Sequence, residues 1–161
     1  MTNYKKAEGL LNKAEWTWGE VERALKARLW AIAYRRAQEV IELSLKGLLA
    51  MMGAEYPKTH DPAPAFFRIA RQRGLEIEPV LENQIVSLSR KLAKKRAPAF
   101  YGEIEISEDE ARAAAEGAAL VLQLGRRLKR ELEPRAALEK ETNDRSDHQR
   151  RTTEENSTTG T

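Results

Sequence analysis

From Asn3 onward, apolar residues recur at alternating spacings of three and four: Tyr4, Ala7, Leu11, Ala14, Trp18, Val21 and Leu25. That spacing draws one apolar stripe along a helix, and Asn3 is a good N-cap for it. Trp16 lies off the stripe. The chain turns around Ala27–Trp30, although no Gly or Pro marks the place. A second helix runs to about Met52, where Gly53 closes it. Its apolar positions, from Trp30 and Ala33 through Val40, Ile41 and Leu45 to Leu49 and Met52, form a band wide enough for neighbours on two sides.

A loop over residues 53–62 follows, with Asp61 as the expected N-cap and Pro62 at the first position of a short helix that Gly74 stops. Pro79 opens a fourth helix with Leu81, Ile85, Leu88 and Leu92 inside, and the run Lys94-Lys95-Arg96-Ala97-Pro98 is expected to end it. Ser107 and Glu110 form a capping box for the last helix, whose inner positions begin with small residues, Ala111, Ala114 and Ala118. The pattern predicts no strand. The fold class is all-α, an up-down helical bundle of about five helices.

Composition sharpens this picture. Of 161 residues, 41% are hydrophobic and 33% charged, with 28 basic and 25 acidic side chains and a net charge of +3. No stretch approaches the roughly 18 apolar residues of a membrane span, and the charged amphipathic start is not expected to be a secretory signal. A cytoplasmic protein without membrane contact is expected. The chain has no cysteine, which removes disulfides, thiol nucleophiles and cysteine-ligated metal. After Pro134 the character changes: residues 135–161 hold Leu138 as their one large aliphatic side chain. We divide the chain into a bundle over 1–134 and a disordered polar tail over 135–161, because such a segment buries too little to offset its ordering entropy. His148 falls in that tail and is discounted as a ligand.

Candidate chemistry is narrow. Di-iron bundles need Glu-x-x-His pairs, and neither of the two histidines has Glu three residues before it, so neither a metal nor a cofactor is expected. No Gly-rich phosphate loop precedes a helix. Thr59-His60-Asp61 reads as a loop with a helix cap. What remains is basic: Arg90, Lys91, Lys94, Lys95 and Arg96 crowd the end of the fourth helix, and Arg126, Arg127, Lys129 and Arg130 lie in the last. Phe100 and Tyr101 follow the first cluster in a loop bounded by Pro98 and Gly102, which sets stacking groups beside phosphate-binding ones.

The stretch from Ala33 to Leu49, with Gln38, Glu39, Glu42 and Lys46-Gly47-Leu48-Leu49, resembles the second helix of HEPN domains, the higher eukaryote and prokaryote nucleotide-binding domains. Gly53 and Tyr56-Pro57-Lys58-Thr59-His60-Asp61 resemble that family's loop, and Arg96 to Tyr101 stands where the family carries its Arg-containing motif. The resemblance covers residues 4–132. It implies an up-down bundle with a short extra helix, usually a symmetric homodimer. Many members are metal-independent ribonucleases, often toxins of toxin–antitoxin pairs. Others bind nucleotides or accompany a small nucleotidyltransferase.

The family's nuclease motif is Arg, four to six residues, then His. Arg96 matches the Arg, whereas positions 101 to 103 are Tyr101, Gly102 and Glu103. Tyrosine has an ordinary pKa near ~10 and is a poor base, while Arg96 still offers a two-pronged phosphate clamp. The expected function is therefore nucleotide or RNA binding at a dimer cleft, with catalysis weak or absent. Arg96 and Tyr101 are the candidate catalytic pair, and Lys91, Lys94, Lys95, Arg96, Phe100, Tyr101 and His60 the binding set. The alternatives are a metal-independent endoribonuclease in which Tyr101, Glu103 or His60 replaces the missing His, and a helical partner of a nucleotidyltransferase. Trp16, displaced from the core stripe, is the expected dimer contact.

Deleting residues 135–161 removes five basic and six acidic residues and moves the net charge from +3 to +4. Thermal denaturation should show a melting temperature within a few degrees of the full chain, because little buried area is lost. A large drop would move the domain boundary.

Overall fold

The computed structural model describes residues 3–157, with side chains described over 3–150 apart from those at 136 and 139. These residues form helices α1 (Asn3–Lys26), α2 (Trp30–Met51), α3 (Ala63–Gln72), α4 (Pro79–Phe100) and α5 (Glu108–Ser157), and among them there is no strand. As the wide apolar band of α2 requires, that helix is the hub, touching α1, α3, α4 and α5. Tyr34, Ile41, Leu45, Leu48 and Leu49 of α2 are fully buried with Phe66 and Phe67 of α3, Ile85 and Leu92 of α4 and Leu128 of α5. Two glycines set how close the helices come. A Cβ on Gly47 would lie 2.8 Å from Leu11 Cγ of α1, and one on Gly117 would lie inside the Leu88 side chain of α4. No helix among the described residues is long and apolar enough to cross a membrane.

Four helix ends share one device. A left-handed residue lets two backbone N–H groups turn back onto the last carbonyls. Gly53, Gly74 and Gly102 fill that position after α2, α3 and α4. After α1 it is Arg28, at φ 58°, with Leu29 N–H on Ala24 O and Arg28 N–H on Leu25 O. The turn at Ala27–Trp30 is thus built like the others, without the glycine that would announce it. The capping box of α5 is present: Ser107 Oγ accepts from Glu110 N at 3.1 Å, and Glu110 Oε2 accepts from Ser107 N at 3.0 Å.

Three boundaries differ from the sequence pattern. Asp61 does not cap α3; Pro62 is the N-cap residue, and the Asp61 carboxylate instead accepts from Ser89 Oγ of α4 at 2.6 Å. The fourth helix does not stop at Pro98, so Arg96–Phe100 is its last turn rather than a loop. Proline removes one helical N–H there, and the bonds Tyr101 N to Ala97 O and Glu103 N to Pro98 O carry the coil on to its Gly102 stop. Beyond Pro134, where a disordered tail is expected, α5 continues to Ser157. Helix propagation needs no new nucleus when the bundle already supplies one, and Ala, Glu, Lys and Arg sustain it. The described side chains of this extension are exposed, and Arg135 Nη1 reaches back to Arg73 O at 3.4 Å.

Ion pairs stitch α5 to the bundle on two sides. Arg126 grips Glu15 of α1 with two bonds of 2.7 Å, and Lys95 of α4 reaches Glu110 at 2.6 Å. The Arg126 hydrogen bond pulls Glu15 below its usual carboxylate value of 4.5 against the opposing effect of burial. The Lys95 bond, helped by the Ser107 N–H, holds Glu110 down to about 2.

The glycines make opposite predictions. Gly47→Ala should cost about 1–2 kcal/mol, since Leu11 is buried and α1 must shift by more than helix propensity recovers. Gly9→Ala in α1, which meets nothing within 4 Å, should gain up to ~1 kcal/mol. Chemical denaturation of both variants checks the signs. For pH, Glu15 and Glu110 have folded pKa values below their unfolded ones. Their contribution is complete above the ordinary value of 4.5 and is lost as pH falls below it, for Glu110 down to about 2. Melting temperatures recorded across pH should fall in that window, and Glu110→Gln should flatten the fall.

Candidate functional site

Polar residues interrupt the apolar band of α2 at fixed helical spacing: Gln38, Glu42 and Lys46 stand four apart on one face. Gln38 is 2% exposed, so its amide must find partners inside. Its Nε2 donates to Glu42 Oε2 at 2.8 Å and to the backbone carbonyl of His60 at 3.2 Å. Its Oε1 accepts from Arg96 Nε of α4 at 3.0 Å. One buried amide thus joins α2, α4 and the loop between α2 and α3.

The loop delivers His60 to the same place. His60 Nδ1 lies 3.0 Å from Glu42 Oε2, and its Nε2 lies 3.5 Å from Arg96 Nη1. Arginine only donates and a carboxylate only accepts, so both neighbours select one neutral tautomer, with Nδ1–H toward Glu42 and the Nε2 lone pair toward Arg96. Lys46 Nζ donates to Glu42 Oε1 at 2.8 Å. Burial pushes the Glu42 carboxyl up, but the bonds from Lys46, Gln38 and His60 outweigh it and hold it below its ordinary value. Below the loop, Asp61 N–H donates to Thr59 Oγ1 at 2.8 Å, and Ser89 anchors the Asp61 carboxylate.

The result is a fixed guanidinium beside an imidazole that a carboxylate orients. The His60 side chain is 52% exposed, whereas that of Glu42 is 14% exposed. Solvent therefore reaches the imidazole and the arginine from one side, while the groups that hold them lie beneath. Such a pair can bind a phosphate through Arg96 and exchange a proton at His60 Nε2.

The structure divides the remaining sequence candidates. Arg96 and His60, 36 residues apart, come together. Lys95 points the other way, into its ion pair with Glu110, so the expected Lys94–Lys95 contribution to the Arg96 site is not assembled on this chain. Lys91 and Lys94 border a separate shallow groove with Asn83, Ser87 and Arg90. Phe100 carries the Arg35 guanidinium 3.9 Å from its ring centroid, and Tyr101, 72% exposed, meets Phe100 edge-on at 4.9 Å. Gln38, Glu42 and Lys46 stand in the stretch that resembles the family's second helix, but neither they nor Ser89 belong to the site residues expected from the sequence. Asp61 is expected from the sequence as a helix cap and as part of the resembling loop, not as a partner of Ser89. The signal was present in the i, i+4, i+8 polar series across an otherwise apolar face.

Comparisons with known proteins agree with this architecture. The HEPN domain family model matches residues 7–128. Among solved structures, a crystal structure of an archaeal HEPN homologue superimposes with a TM-score of 0.57 at 20% identity, covering 79% of this chain and 98% of that one. No curated protein matches the chain. An all-α bundle built on a Gln38-centred hub, matched over three-quarters of its length, makes this chain a member of the HEPN domain family.

Proposed function

We propose that the chain binds RNA or a nucleotide, with a phosphate seated on Arg96 beside His60. The observation that carries this reading is the Gln38–Arg96–His60 arrangement, in which a buried amide fixes Arg96 Nε and leaves the outer guanidinium nitrogens beside a half-exposed imidazole. Membership of the HEPN family supports a nucleotide- or RNA-related role. Phe100 and Tyr101 at the end of α4 supply exposed stacking surface close in sequence to Arg96. The chain works as a homodimer in this reading. Leu29, Ile32, Phe100 and Tyr101, exposed around the turn between α1 and α2 and the end of α4, support it, since clustered apolar exposure marks an interface.

One observation favours a second reading, metal-independent RNA cleavage: His60, held by Glu42, places an imidazole beside the motif arginine although position 101 is tyrosine. There, His60 Nε2 takes the 2′-hydroxyl proton and the 2′-oxygen attacks phosphorus. The bond to the 5′-oxygen breaks, a 2′,3′-cyclic phosphate forms, and the leaving oxygen takes a proton from water. If neither ligand binds and RNA stays intact, the role of helical partner to a nucleotidyltransferase becomes the better account.

A titration with single-stranded RNA and with ATP tests both readings. Wild-type affinity should fall with rising salt, as released counterions require. Arg96→Ala should weaken binding by about 10–100-fold, the scale of a charged hydrogen bond. Because it also strands the Gln38 carbonyl, Arg96→Lys serves as the companion that keeps the charge and loses the fork. His60→Ala should leave most binding and abolish any cleavage. Wild-type protein that binds neither ligand would overturn the assignment.

A further inference from the structure

Beside Arg96 a groove of about 460 Å3 opens between α1 and α2, within the roughly 300–1,000 Å3 of small-molecule sites. Lys13, Trp16 and Glu20 line it from successive turns of α1, Arg36 and Glu39 from α2, and Arg96 from α4. Trp16 is 62% exposed, whereas Trp18 and Trp30 are partly buried against the core. Its neighbours Ala14, Thr17 and Val21 carry the inward face of α1, so the ring is not spent on packing the bundle. The Arg23 guanidinium sits over the ring, 5.3 Å from its centroid.

The charges are balanced. Arg36 is tied to Glu39 at 2.6 Å and to Glu20 at 3.4 Å, and Glu42 to Lys46 and His60. Such a lining does not attract a run of phosphates. It suits one phosphate at Arg96 and a flat, neutral, hydrogen-bonding group along the rest. Carboxylate oxygens carry several acceptor sites each, so Glu20 and Glu39 retain lone pairs for amino groups after Arg36 is satisfied.

We propose that this groove is a nucleobase subsite, in which the base of a single-stranded RNA nucleotide stacks on Trp16 while its phosphate lies on Arg96. This rests on the reading of Arg96 as the phosphate contact and adds what recognises the rest of the nucleotide. Purines, with the larger ring face and an exocyclic amino group facing the carboxylates, are the favoured occupants.

The test compares oligoadenylate with an abasic oligoribonucleotide of equal length and charge, bound to the full chain and its variants. The wild type should prefer the base-bearing strand by about tenfold, the scale of one stacked base. Trp16→Ala should bind both strands as the wild type binds the abasic one, Trp16→Phe should keep most of the preference, and Arg96→Ala should bind each strand about 10–100-fold more weakly than the wild type does. Oligoadenylate should also quench indole fluorescence in the wild type and not in Trp16→Phe. A wild type without preference, or a Trp16→Ala that keeps it, overturns the subsite and leaves Arg96 standing. Binding of neither strand overturns both. Trp16→Ala that loses binding while a dimer falls apart on light scattering would put the ring in an interface and overturn the subsite.

Discussion

A side-chain amide buried in an apolar helix face obliges other parts of the chain to come to it. Gln38 sits at the centre of α2, and leaving either end of its amide unpaired would cost about 1–3 kcal/mol. Its oxygen is met by Arg96 from α4 and its nitrogen by Glu42 and the carbonyl of His60. The loop between α2 and α3 is further tied to α4 through Asp61 and Ser89. The position of His60 and the orientation of the Arg96 guanidinium follow from satisfying one residue, and Glu42 and Arg96 then select the His60 tautomer. Apolar packing brings α2, α3 and α4 together, and the amide ties α2 to α4 and to the loop before α3.

The clustered cations show how sequence proximity misleads on a helix. Lys95 and Arg96 are adjacent, yet successive helical residues point about 100° apart. Lys95 therefore meets Glu110 of α5 while Arg96 meets Gln38 of α2. Lys91 and Lys94 fall on a third, outer face. A run of basic residues that reads as one patch is three separate environments, and one of them holds the guanidinium beside a histidine.

Much of the fold was legible because local rules and global packing agree. The band on α2, the capping box of α5 and the glycine stops after α2 and α3 all stand where the residues put them. The failures share a cause. The turn after α1 is not among them: it stands between Lys26 and Trp30 as expected, although Arg28 takes a backbone conformation that its side chain does not advertise. Asp61 had two possible partners, the start of α3 and a hydroxyl 28 residues away, and only tertiary packing selects Ser89. The Arg96–His60 pairing spans 36 residues and arises from the neighbours that Gln38 recruits. Spacing along the chain could not display it.

Pro98 has a further effect on the helix that carries Arg96. Without an N–H at this position, the Lys94 carbonyl lacks its donor one turn on, and the last turn of α4 is closed from beyond by Gly102 and Glu103. With one helical hydrogen bond fewer, that turn is expected to open more readily than the core of α4. A ligand that needs Phe100 and Tyr101 in their helical positions captures only the closed fraction, so its apparent affinity is the intrinsic one scaled by that fraction. For such a ligand, whatever tightens the Gly102 stop would raise affinity without touching it.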